Sequence, residues 1–124
     1  MGLDMYAFAI DKEDAIDQFS FTRQEGVESF KYWRKNNALH KWMVDLYEQK
    51  GGTEEFNCIP LMLTVDDLLD LQRSIIDDNL KPAEGFFWGS QRYDEEDKKE
   101  DLEFVANALL HISQGKVVYY NSWW

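Results

Sequence analysis

The spacing of apolar and polar residues changes several times along the chain, and each change marks an element. Residues 3–10 alternate loosely and are rich in β-tolerant types, Met5, Tyr6 and Phe8 among them, which predicts a strand. From 12 to 26, charge mixes with Phe19 and Phe21 in no clear period, so a loop or a short extra element is expected. Residues 29–34 read as extended and aromatic. They run into Asn36 and Asn37, either of which can cap a helix by accepting a backbone hydrogen bond two or three residues on. The helix that follows carries Leu39, Trp42, Met43, Leu46 and Tyr47 on one stripe, and Gly51-Gly52 ends it.

Residues 58–63 form a short apolar run in which Pro60 lacks a ladder donor, so this strand lies at an edge or is interrupted. Thr64-Val65-Asp66-Asp67 opens a helix with a capping-box pattern, Asp standing in for Glu. That helix is expected to bury Val65, Leu68, Leu69, Leu71, Ile75 and Ile76 and to fade by Asn79. Lys81-Pro82-Ala83-Glu84-Gly85 breaks the chain ahead of the aromatic triplet Phe86-Phe87-Trp88 and Gly89-Ser90. A third helix over 94–114, closed by Gly115, turns Leu102, Val105, Ala106, Leu109 and Ile112 inward, and 116–122 is the last strand. Too few strands alternate with helices for a doubly wound parallel sheet. The order predicts one α+β domain over 1–124, a small, mainly antiparallel sheet with about three helices packed on one side.

An apolar share of 44% with 15% aromatics excludes a disordered chain, although the formal charge is −11 over 124 residues. No apolar run approaches the roughly 20 residues of a membrane span. The N-terminal residues show no basic region before an apolar stretch, and Tyr6 stands where a myristoylation motif needs Ser or Thr. Cys58 is the lone cysteine, which removes an internal disulfide and fits a reducing compartment. The cytoplasm is the expected location, with no membrane partner. The acidic balance also argues against direct nucleic-acid binding, because phosphate contacts require Lys and Arg.

Charge is unevenly distributed. Residues 29–44 hold no acid, while Lys31, Arg34, Lys35 and Lys41 give +4 against −15 for the rest. Arg34 and Lys35 immediately precede a helix N-terminus, whose backbone N–H groups and partial positive charge favour an anion. His40 lies at the border of the apolar stripe and can add a hydrogen bond from a pocket wall. Trp33, Phe87, Tyr120 and Trp123 offer flat faces for a ring, and Gly89-Ser90 offers backbone amides beside Arg92. The plain alternative is that Arg34 and Lys35 pair with the many acids elsewhere in the chain, that the rings are core, and that His40 is a boundary residue making one structural hydrogen bond. No metal-ligand spacing appears, Cys58 reads as a buried thiol, and no cofactor motif is present.

Four motifs carry a resemblance: Gly2-Leu3-Asp4-Met5-Tyr6; Tyr32-Trp33-Arg34-Lys35-Asn36 with Leu39-His40 and Trp42; Gly85-Phe86-Phe87-Trp88-Gly89-Ser90; and Tyr119-Tyr120-Asn121-Ser122-Trp123. In order and spacing, across essentially the whole chain, they resemble a family of small uncharacterised proteins of tailed bacteriophages, including phages of cyanobacteria. Trp88 and the Glu96-Asp97-Lys98 run depart from the family pattern. The resemblance implies a viral origin and a host-cell cytoplasm, and supplies no mechanism. The leading expectation is a phage accessory protein that binds a small anionic or aromatic ligand, or a host protein, through Trp33, Arg34, Lys35, His40, Phe87, Ser90, Tyr120 and Trp123. Two alternatives stand beside it. The seven acids of 94–103 suit an acidic mimic of nucleic acid that blocks a host protein, and His40 suits a small-molecule hydrolase or transferase.

Overall fold

The computed structural model describes residues 3–80 and 93–124. Strands β1 (Asp4–Asp11), β4 (Lys31–Arg34), β5 (Leu61–Leu63) and β6 (Lys116–Trp123) form one antiparallel sheet in the order β4-β1-β6-β5. A 3-10 turn over Lys12–Asp14 leads from β1 into a second, two-stranded sheet of β2 (Ala15–Asp17) and β3 (Ser20–Phe21). The helices are α1 (Asn37–Gln49), α2 (Val65–Ile76) and α3 (Glu95–Ser113). The α+β class and the mainly antiparallel sheet are as the sequence predicts. The segment 12–26, which shows no period, folds into the 3-10 turn and hairpin.

Successive residues of a strand point to opposite faces, and this alternation divides the molecule. Met5 and Ala7 of β1, Trp33 of β4, Leu61 and Leu63 of β5, and Val118 and Tyr120 of β6 face the helices. There they are sealed by Leu39 and Met43 of α1, Leu68, Leu71 and Ile75 of α2, and Phe104, Val105 and Ala108 of α3. Phe8, Ile10 and Tyr119 face the other way and pack with Ala15 and Phe21 of the hairpin. The Tyr119 hydroxyl donates to the Asp17 carbonyl at 2.6 Å, with the Ser20 carbonyl at 3.1 Å, and so holds the hairpin over one end of that outer face. At the other end Tyr32 and Trp123 stay in water, 47% and 64% exposed.

The helix ends follow the expected chemistry. The Asn36 side chain accepts from the Leu39 N–H, and Thr64 and Asp67 form the reciprocal capping box of α2. Asp67 also accepts from Lys50 Nζ at 2.5 Å, and Lys50 donates to the Met62 carbonyl at 2.6 Å, joining the end of α1 to the start of α2. Gly52 leaves room for Tyr47: a Cβ there would lie 2.2 Å from the ring. Tyr47 in turn stacks on Phe56 at 4.5 Å.

Three expectations are corrected. In α2 the inward face is Leu68, Leu71 and Ile75, while Val65, Leu69 and Ile76 are exposed. In α3 the fully buried positions are Asp101, Phe104, Val105 and Ala108, with the expected Leu102, Leu109 and Ile112 partly buried against the same core, while Ala106 faces solvent. Both helices carry apolar residues at adjacent positions, so two stripes compete and packing against the sheet selects one. Cys58 is exposed, held in a left-handed turn (φ 61°) before β5. The segment 81–92, with its breaker cluster, aromatic triplet, Phe87, Ser90 and Arg92, lies outside the described residues.

Candidate functional site

The nominated residues divide between two sides of the sheet. Trp33 and Tyr120 point inward, and His40, on the first turns of α1, is fully buried beside them. His40 Nδ1 lies 2.7 Å from the Tyr120 hydroxyl, and its ring stacks on Phe56 and meets the edge of Trp124. Burial pushes the His40 pKa down to about 3 and the Tyr120 hydroxyl well above its ordinary value, so both are neutral at physiological pH. Trp33 and Tyr120 are interior packing, as the plain reading of the sequence has the rings, and His40, expected at the border of the apolar stripe, is interior as well.

The same interior holds a carboxylate that the sequence hides within an acidic run. Asp101 of α3 is fully buried. Its Oδ1 accepts from Trp33 Nε1 at 2.9 Å and Asn36 Nδ2 at 3.1 Å; its Oδ2 accepts from Asn36 Nδ2 at 3.0 Å and the Tyr93 hydroxyl at 2.7 Å. One side chain thereby joins β4, the cap of α1 and the entry to α3. Burial raises its pKa to about 6, against the lowering effect of the three donors. No sequence signal distinguishes it from its neighbours, because Trp33 and Asn36 lie far away along the chain and Tyr93 stands before the helix begins.

The cationic island is also divided. Lys31 pairs with Glu100 and lies over the Trp33 ring at 5.4 Å, and Lys41 pairs with Asp45 at 2.6 Å on the helix surface. Arg34 and Lys35 are exposed and make no ion pair among the described residues. Lys35 takes a left-handed φ of 61°, its N–H donating to the Leu3 carbonyl. Arg34 follows Trp33 on β4 and therefore faces outward, in one row with Asp4 and Trp123. The expected single pocket of Arg34, His40 and the rings does not form: Arg34 and Trp123 are on one face of the sheet, and Trp33, His40 and Tyr120 are behind the other.

The outer face carries a groove that the sequence reading did not assemble. It has a volume of about 550 Å³, and its walls include Tyr6, Phe8, Arg23, Cys58, Asn121 and Trp123. The Arg23 guanidinium carbon lies 5.0 Å above the Phe8 ring, a cation–π contact, and Arg23 makes no ion pair among the described residues. Asn121 accepts the Ser122 N–H through Oδ1 at 2.9 Å, which leaves its amide N–H groups as donors on the wall. Tyr6 packs on Tyr32 at 5.3 Å, and the Tyr32 hydroxyl donates to Asp4 at 2.6 Å, fixing the rings beside the groove. The signal available in the sequence is the period-two placement of Tyr6 and Phe8 on β1.

Among the described residues no group of three His, Cys, Asp or Glu side chains is placed to share a metal ion, and no helix is long and apolar enough to cross a membrane. No family model, curated protein or solved structure matches the chain.

Proposed function

We propose that the chain is a small phage accessory protein of the host-cell cytoplasm that binds a small ligand through the outer-face groove. The observation that carries this reading is the groove itself: the rings of Tyr6 and Trp123 and the Arg23 guanidinium gathered on the outer face of the sheet, away from the helices and beside the hairpin. Its volume lies within the roughly 300–1,000 Å³ of small-molecule sites. Trp123 contributes to it while remaining 64% exposed, an arrangement that folding alone does not call for.

The other readings have less support. The strip over 94–103 is largely committed within the chain: Asp94 and Asp97 cap α3, Asp101 is buried, Lys98 pairs with Asp78, and Glu100 pairs with Lys31. Among its acids Glu95, Glu96 and Glu103 are left exposed without such a role among the described residues, a short row for imitating phosphates. His40, buried and neutral, lacks the access that a general base or nucleophile needs.

A thermal-shift screen of small anions and aromatic compounds tests the reading, run on the wild type and on Trp123→Ala. Compounds that raise the wild-type melting temperature are expected to lose their effect in the variant, whose own melting temperature should be close to wild type. A screen without hits, or hits that survive the substitution, would refute it.

A further inference from the structure

We infer that the groove takes a single planar ring carrying one phosphate, a ligand of the nucleoside monophosphate class. This inference rests on the binding reading above and specifies its ligand. Three features of the walls combine to favour that chemistry.

The first is the ring surface. Trp123 ends β6 and Tyr6 lies on β1, which pairs with β6 in register, Asp4 opposite Trp123 and Tyr6 opposite Asn121, while Phe8, 3% exposed, is the floor beneath Arg23. Adjacent strands lie about 4.8 Å apart, so the rings form the walls of one shallow slot. Aromatic side chains favour offset or edge contacts with another ring, and a base presents such a face whatever its identity.

The second is the anion clamp. The Arg23 guanidinium is held over Phe8 and not by a carboxylate among the described residues, in a chain with 24 acids. Its planar fork can donate to two oxygens of one phosphate. One cation suits one phosphate. Glu28, on the same wall, adds a carboxylate that repels further anionic groups and can accept from a sugar hydroxyl or an exocyclic amine. The net charge of −11 opposes a polynucleotide for the same reason.

The third is the edge donor. With Oδ1 engaged by the Ser122 N–H, Asn121 presents its amide N–H groups. Those donors match the ring nitrogens and carbonyl oxygens of a base.

The test is titration calorimetry of the full chain with adenosine, guanosine, cytidine and uridine 5′-monophosphates, with the four nucleosides, with inorganic phosphate and with a single-stranded oligonucleotide. At least one monophosphate is expected to bind at least tenfold more tightly than its nucleoside, than phosphate alone and than the oligonucleotide per site. Arg23→Gln should remove that tenfold advantage, the monophosphate then binding no more tightly than its nucleoside, whereas Trp123→Ala should weaken both. Both side chains are exposed, and circular dichroism is expected to show unaltered folds. A nucleoside that binds as well as its monophosphate, an Arg23→Gln variant indistinguishable from wild type, or an oligonucleotide that binds most tightly each overturns the inference. If none of these probes binds while other compounds in the thermal-shift screen depend on Trp123, the inference fails and the binding reading survives. If nothing depends on Trp123, both fail.

Discussion

Replacing Asp101 with Asn should change how stability depends on pH, in a direction and by an amount the structure sets. The carboxyl group has a pKa of about 6 in the fold against an ordinary 3.8, and burial is the main cause. The folded state therefore holds this proton more strongly than the unfolded chain does. Stability from this group rises as pH falls through 6 and levels off below about 4, where both states are protonated. At 1.36 kcal/mol per pH unit the full excursion is about 3 kcal/mol, of which about 2 kcal/mol falls between pH 7.5 and 4.5. His40 acts in the opposite sense. Its pKa of about 3 in the fold, below the ordinary 6.5, costs stability as pH falls below 6.5. That contribution is common to both proteins and cancels in their difference.

Asn in place of Asp101 keeps one oxygen to accept from Trp33 and Asn36, and its amide can donate to the Tyr93 hydroxyl, which can turn to accept. The variant should therefore fold, with stability at pH 7.5 equal to or above that of the wild type. Urea unfolding followed by circular dichroism at pH 7.5, 6.0 and 4.5 measures the difference. The wild type should gain about 2 kcal/mol over Asp101→Asn across that range, a relative midpoint shift on the order of 1 M urea. A difference that stays flat, or grows toward alkaline pH, would refute the argument that burial outweighs the three hydrogen bonds.

Further predictions follow from the same packing. Asp101→Ala leaves the donors of Trp33, Asn36 and Tyr93 without their acceptor and should cost about 3 kcal/mol or more at pH 7, measured by the same unfolding curves. Gly52→Ala drives a methyl group into the Tyr47 ring and should cost about 1–3 kcal/mol; the cost should largely vanish when it is introduced into Tyr47→Ala. Thr64→Ala removes half of the capping box and should cost about 1 kcal/mol, while Asp67→Ala should cost more, because Asp67 also holds Lys50.

Elements that depend on neighbouring residues were readable in the chain. The Asn36 cap, the Thr64 box and the short edge strand after Pro60 each follow from local chemistry, and each is present. What escaped depends on distant partners. Leu68 and Leu69, or Ile75 and Ile76, are equally apolar, and only the sheet decides which turns inward. Asp101 looks like any residue of an acidic helix until Trp33, Asn36 and Tyr93 surround it. The candidate site failed to assemble for a simpler reason that the sequence did contain. Trp33 and Arg34 are consecutive on a strand, and Tyr120 and Trp123 are three apart, so neither pair can share a face. Applied at the outset, that parity separates Arg34 and Trp123 from the buried rings.

The position of β6 has a consequence for how the molecule is made. This strand, the last of the described elements to be synthesised, lies in the interior of the sheet between β1 and β5, and its contact from Lys116 back to Asp11 spans 105 positions. While a ribosome is still translating the helices, β1 has no β6 to pair with, and its apolar residues wait uncovered. Closure of so long a loop is slow to be rewarded, which leaves nascent chains open to chaperones or to one another until β6 emerges.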